Sequence, residues 1–260
     1  MSYSIDLDGR RAIVTGAGQG VGRAIALTLA EAGAHVGVND IVPAMTNGVV
    51  DEITVAGGQA SAAPFDVTDY AQVAAGIEQF GDVDILVNNA GNAGAEGFAE
   101  RCDFTESNPA DWARYFAVNL FGTMHCTRAA VPSMIPRSWG RVVTIVSDAS
   151  RYGDAKVAPD AAAKAGAAGL CRSVAREVGR YGITVNCVSL GTMVTPTTAK
   201  PKPETPEAIE RERRTLSRYV IRRRGTPEDA VGLVAFLASP LASWITGQTY
   251  AVNGGYTFSL

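Results

Sequence analysis

Short apolar runs alternate with longer stretches of helical spacing along the whole chain. The first run covers residues 11–15; a glycine-dense turn follows, then a helix-like segment at 23–32 rich in Ala and Leu. Gly33 stands where a left-handed residue would close that helix. Further strand-like runs fall at 35–39, 60–65, 84–87, 141–147 and 182–188, with a short one at 249–252. Helical stretches occupy about 45–57, 69–79, 108–130, 159–180 and 227–238. Strands apolar on both faces, separated by helix-length segments, predict a parallel sheet covered on both sides, with right-handed crossovers. The rhythm breaks at 196–224. There Pro196, Pro201, Pro203 and Pro206 resist continuous helix, and a charged stretch from Glu207 to Arg218 follows. This reads as an inserted flap with one or two amphipathic helices.

Composition narrows the class. A chain of 260 residues, 47% of them apolar and with no compositional break, is expected to form one packed domain. Lys and Arg total 23 against 26 acids, a net charge of -3, unlike a general nucleic-acid binder. No run of 18 apolar residues exists, and Met1 to Asp6 lacks a basic segment followed by an apolar one. No membrane span and a cytoplasmic setting are therefore expected. Cys102, Cys126, Cys171 and Cys187 form no CxxC pair, and the chain has 2 histidines, so no metal site is expected.

The glycines at 16, 18, 20 and 22 lie between a predicted strand and a predicted helix. Missing side chains at such a turn let backbone approach a pyrophosphate, and the helix N-terminus favours its negative charge. Asp40 lies 18 residues after Gly22, at the end of the next strand. Its carboxylate could accept both adenosine ribose hydroxyls and would repel a 2′-phosphate; Asn39 and Ile41 offer no compensating cation. The expected cofactor is thus NAD rather than NADP. The plain alternative is that the glycines only shape a turn and Asp40 only caps a strand. Asp66 could reach an adenine edge, or serve as a helix-start cap. Asn88, Asn89, Ala90 and Gly91 end another strand, where ligands of open α/β sheets collect; Asn89 could be structural or ligand-contacting.

At these residues the chain resembles the short-chain dehydrogenase/reductase family. The matching motifs run from about Leu7 to Thr257: the 15–22 turn, Asp66-Val67, 88–91, Asn119, 140–143 with Ser147, 183–186, Gly191 and Thr195-Pro196. They continue through 225–229, 236–239, 245–247 and 252–255. A softer likeness is to the branch acting on acyl-carrier-protein or acyl-CoA substrates. The resemblance implies a single Rossmann-type domain with a doubly wound, seven-stranded parallel sheet and helices on both faces, assembled as a homotetramer or dimer. It implies cofactor contacts from Gly16, Gln19, Gly20, Val21, Gly22, Asp40, Asp66, Val67, Asn89, Ala90, Gly91, Lys164, Gly191 and Thr195. The substrate would be a small molecule or a carrier-bound acyl group, with hydroxyl and carbonyl forms interconverted.

The family's chemistry uses Ser, Tyr, Lys and Asn. Ser147 matches the serine and Asn119 the asparagine; the usual spacing of thirteen from Ser to Tyr lands on Asp160, with Lys164 four residues later. The catalytic set implied here is Asn119, Ser147, Asp160 and Lys164, and it has no phenol. An ordinary Asp titrates near 3.9 against about 10 for Tyr, so a carboxylate is a poor proton donor at neutral pH. Ordinary ketone reduction is expected to be weak. Three accounts stand open: a substituted or disabled form of a normal enzyme, altered chemistry such as imine reduction, or a cofactor-binding protein with little catalysis. Tyr152 and Lys156 form a second Tyr-x-x-x-Lys string, but Gly153 and Asp154 suit a helix poorly and the string stands close to Ser147.

The segment 196–224 carries nine basic and four acidic residues, a local charge of +5 against -8 elsewhere. In the family this stretch covers the substrate, so it could meet a phosphate-bearing carrier, or simply be solvated helix charge. His35, His125, Cys171 and Cys187 are expected to be structural; Trp112, Tyr115 and Phe116 read as core or subunit interface.

Overall fold

The computed structural model describes residues 4–91, 102–195 and 204–258. Seven parallel strands form one sheet in the order β3-β2-β1-β4-β5-β6-β7. They are β1 (Arg11–Val14), β2 (His35–Val38), β3 (Gln59–Ala62), β4 (Ile85–Asn88), β5 (Gly140–Ser147), β6 (Ile183–Leu190) and β7 (Thr249–Val252). Alternation along each strand sends neighbours to opposite faces. Ala12 and Val14 thus join one buried cluster with Ile25, Leu29, Val49 and Val234, while Ile13 joins another with Val73, Ile77, Met134 and Cys171.

The first face is covered by α1 (Gly20–Glu31), α2 (Pro43–Val55) and α9 (Pro227–Ala238). The second is covered by α3 (Tyr70–Phe80), α5 (Gly122–Met134) and α7 (Ala158–Val178). The remaining helices are α4 (Pro109–Phe116), the short α6 (Ala149–Tyr152) and α8 (Pro206–Ser217). The chain order reverses between β1 and β4, which opens a crevice at their carboxyl ends, where ligands of such sheets bind.

Several boundaries move. β3 stops at Ala62 rather than 65, because Ala63 pairs with Val38 by one further bond and Asn39 Nδ2 takes the carbonyls of Ala63 and Phe65. The long helix expected at 108–130 divides into α4, a π-helical turn at Ala117–Phe121 and α5, which runs on to Met134. α4 buries none of its residues in the chain, so Trp112, Tyr115 and Phe116 are not core. Trp112 instead stacks on Phe104 at 5.2 Å and donates to Ser107. The expected flap contributes α8; its portion at 196–203 lies outside the described residues.

Candidate functional site

The glycine turn joins β1 to α1. Gly20 has φ +55, a left-handed conformation natural to glycine, and Gln19 at the N-cap gives the first turn no side-chain hydrogen bond. The opening amides of α1 therefore have no side-chain cap from Gln19, the condition under which a helix N-terminus can receive an anion. At Gly22 an added Cβ would stand 2.2 Å from the Gly16 carbonyl oxygen and 2.4 Å from Asn89 Nδ2. Only glycine lets the turn close this tightly. Asp40 sits beside it: its carboxylate accepts from Gly18 N at 3.1 Å and Val42 N at 3.1 Å.

Thr15 and Asn89 lock this turn to the end of β4. The Thr15 hydroxyl accepts from the amides of Asn89 and Ala90, each at 3.0 Å, while Asn89 Nδ2 donates to the carbonyls of Thr15 and Gly16 at 2.9 and 3.0 Å. Asn89 thus has a structural duty. Thr15 was missed in the sequence because a threonine at a strand end carries no distinctive spacing. Asp66 binds its own turn, accepting from Thr68 N and Oγ1 at 2.8 Å; the N-cap of α3 is Asp69, not Asp66. Val67 is buried, and its carbonyl accepts from His125 Nδ1, which gives His125 a packing role.

The crevice wall beyond Gly91 brings together Asn119, Asp160 and Lys164. Asn119 is buried in the π-helical turn, an irregularity frequent at functional sites. Its Nδ2 donates to Asp160 Oδ1 at 3.1 Å. Asp160 lies in the first turn of α7, and Lys164 one turn later donates from Nζ to the Ile145 carbonyl at 3.1 Å. Burial pushes the Lys164 ammonium below its ordinary value, and Asp160 acts against that shift. A Cβ on Gly91 would come within 3.2 Å of Asn119 Oδ1 and 3.3 Å of Lys164 Nζ, so a side chain there would press on both polar groups. Ser147 ends β5, with its hydroxyl accepting from Ala149 N at 3.2 Å.

The rival Tyr-x-x-x-Lys string does not pair. Lys156 reaches Asp103 at 3.7 Å, and Tyr152, on α6, packs on Tyr256 with ring centroids 5.4 Å apart. Burial, then a hydrogen bond with Tyr256, drives the Tyr152 phenol well above its usual range, which makes it a weaker acid. Tyr256 also meets Tyr219 at 4.9 Å and lies under the Arg218 guanidinium.

Asp148, next to Ser147, was overlooked because a lone acid after a strand looks like a surface cap. It is 2% exposed, and it gathers Ser189 Oγ at 2.7 Å, Thr257 Oγ1 at 3.2 Å, Asn253 Nδ2 and the Arg151 guanidinium. The hub ties β5 to β6 and to the segment carrying Tyr256. Gly191 leaves β6 beside it, bonded to Val252, and Thr195 comes back over the glycine turn, its Cγ2 at 3.3 Å from where a Gly20 Cβ would stand.

Residues 16–257 match the family model described as enoyl-(acyl carrier protein) reductase. The chain is 39% identical over 258 residues to the 7alpha-hydroxysteroid dehydrogenase of Escherichia coli (strain K12), covering 98% of this chain and 96% of that protein. The chain belongs to the short-chain dehydrogenase/reductase family. Among solved members, a 7 alpha-hydroxysteroid dehydrogenase complexed with NADH and 7-oxo glycochenodeoxycholic acid superposes with TM-score 0.86 at 38% identity, covering 98% of both chains. A gluconate 5-dehydrogenase from Burkholderia cenocepacia J2315, in complex with NADP and tartrate, gives TM-score 0.87 at 32% identity, again over 98% of each. In this short-chain dehydrogenase/reductase the glycine turn, the N-terminus of α1 without a side-chain cap, and Gly91 follow the carboxyl ends of β1 and β4, where ligands of such sheets bind.

Around this family core, charge is largely neutralised locally. Of the seven described arginines in 204–224, Arg213 and Arg214 pair with Glu210, Arg224 with Glu212 and Arg223 with Asp229. His35 bonds Arg11 and Ser61 between β1 and β3. Cys126, Cys171 and Cys187 are buried thiols; burial pushes Cys126 up to about 12. Among the described residues no group of three or more His, Cys, Asp or Glu could hold a metal, and no helix is long and apolar enough to cross a membrane.

Proposed function

We propose that the chain is an NAD(P)-dependent oxidoreductase scaffold for hydroxyl/carbonyl interconversion, in which Asp160 occupies the place of the family's tyrosine. The observation that carries this reading is Asp160 standing between Asn119 and Lys164, with Nδ2 of Asn119 at 3.1 Å from its carboxylate. A bound nicotinamide supplies or takes up the hydride. Around it, the amides of Gly20, Val21 and Gly22, with Gly16 and Gln19 shaping the turn, hold the pyrophosphate. Asp40 takes the adenosine ribose hydroxyls and disfavours a 2′-phosphate, so NAD is the preferred cofactor. Asp66 and Val67 border the adenine side; Asn89, Ala90, Gly91, Gly191 and Thr195 line the path to the nicotinamide. Lys164 holds the nicotinamide ribose, and Ser147 orients the substrate oxygen. The proton donor is absent, so turnover of ordinary alcohols and ketones is impaired.

The substrate is a small molecule or a carrier-bound acyl group, with the flap 196–224 covering it, and the protein works as a homo-oligomer in the cytoplasm. A second reading, an NAD-binding protein with little catalysis, draws on the same Asn119–Asp160 bond, because it engages the group that would support a proton relay. Calorimetric titration with NAD(H) and NADP(H) tests the cofactor reading; equal or tighter NADP(H) binding removes the assignment of Asp40. Asp160→Tyr tests the site. A phenol beside the Lys164 ammonium should raise ketone or alcohol turnover by ~10²–10⁴-fold, the usual worth of general acid–base catalysis. Adding Lys164→Ala should cancel most of that gain. No gain in Asp160→Tyr with NAD binding intact favours the second reading.

A further inference from the structure

We infer that the site is built for a substrate whose reacting atom is already protonated and positively charged: an iminium carbon–nitrogen bond, reduced to an amine. The inference rests on the proposed reading of an oxidoreductase scaffold with Asp160 at the reacting centre, and puts an iminium in place of the carbonyl whose turnover that residue impairs. A ketone that accepts hydride becomes an alkoxide, which needs a proton donor and an electropositive surrounding. The phenol that would donate is replaced by Asp160, whose carboxylate balances the Lys164 ammonium and leaves the pair without net positive charge. Asn119 donates to the Asp160 carboxylate and the first turn of α7 surrounds it with helix N-terminal dipole, and both favour the ionised acceptor over a protonated donor. Lys164 directs its Nζ to the Ile145 carbonyl at 3.1 Å.

Tyr152 and His125 are engaged with other groups. Tyr152 packs on Tyr256 and His125 bonds the Val67 carbonyl. An iminium asks for none of them. Hydride from a reduced nicotinamide forms the new C–H bond, and the π pair of the C=N bond becomes the nitrogen lone pair. The positive charge disappears in that step, the nicotinamide is oxidised, and the neutral amine takes its proton from water after release. An anionic carboxylate beside the reacting bond stabilises the cation it receives, while Lys164 offsets the carboxylate before the substrate arrives.

The test uses the full-length protein, NADH and two five-membered ring probes of matched shape, 2-methyl-1-pyrroline and 2-methylcyclopentanone. NADH binding is followed by fluorescence titration and folding by thermal melts. The expected result is oxidation of NADH by the pyrroline and not by the ketone. Asp160→Asn should lower kcat/KM for the pyrroline about 10- to 100-fold, the worth of one charge-assisted interaction, with NADH binding retained and a cooperative melt showing that the variant is folded. Asp160→Glu should keep part of that activity, and Asp160→Tyr should shift preference to the ketone. Ketone turnover exceeding pyrroline turnover in the unmodified protein, or Asp160→Asn at full pyrroline activity, overturns the inference. NADH binding without pyrroline turnover overturns it while leaving the oxidoreductase scaffold in place. Failure to bind NADH overturns the scaffold reading itself.

Discussion

Removing the Asp148 carboxylate should damage both the fold and the site it borders. Asp148→Ala takes the acceptor from the hydroxyls of Ser189 and Thr257 and removes one partner each from the Asn253 amide and the Arg151 guanidinium, at a side chain that is 3% exposed. Each buried donor left without its acceptor costs about 1–3 kcal/mol, and breaking a buried ion pair from one side costs about 3–5 kcal/mol. These terms share one centre and do not add, so the expected loss is about 3–5 kcal/mol. For a chain of this size that corresponds to a fall in Tm of roughly 6–20 °C. Asp148→Asn keeps the volume and one acceptor oxygen but turns an N–H toward existing donors, and should lose about 1–3 kcal/mol. Urea denaturation with an unchanged slope reads the difference directly. Because Asp148 follows Ser147 and anchors the segment bearing Tyr256, hydrogen exchange should also quicken at the ends of β5 and β6. A loss under about 1 kcal/mol for Asp148→Ala would refute the view that these donors depend on it.

Gly22→Ala should cost at least about tenfold in NAD(H) affinity by calorimetry, because its Cβ would overlap the Gly16 carbonyl and force the turn open; unchanged affinity would mean the turn is not the pyrophosphate cradle. Lys164 makes stability rise with pH. Its folded value lies below the ordinary 10.5, so the unfolded chain binds more protons between the two values, and the burden of the buried charge is relieved as pH climbs through that window. Asp160→Asn removes the influence that holds the Lys164 value up and should move the onset of that rise to lower pH, while Lys164→Met should abolish it, both read from urea midpoints across alkaline pH. Light scattering at several concentrations should return a dimer or tetramer, with α5 and α7 pairing against their symmetry mates; a monomer at high concentration contradicts the assembly.

The alternation of apolar runs and helical stretches was enough to reveal the sheet, its parallel sense and most of its helices, because a strand buried on both faces must be apolar throughout. The glycine turn before α1 was legible for a similar reason: a tight turn tolerates no Cβ, and that constraint leaves a mark in local sequence. The absence of a phenol four residues before Lys164 was also written in the chain. Which groups meet Asp160 was not. Its bond to Asn119 spans 41 residues and depends on a π-helical turn that breaks the expected long helix, a change of register that periodicity does not encode. Thr15 with Asn89, and Asp148 with Ser189, Asn253 and Thr257, likewise join distant strand ends. Local spacing carries information about neighbours within a turn or a strand; a buried polar hub is defined by which chain ends the packed sheet brings together, and only the tertiary structure decided that.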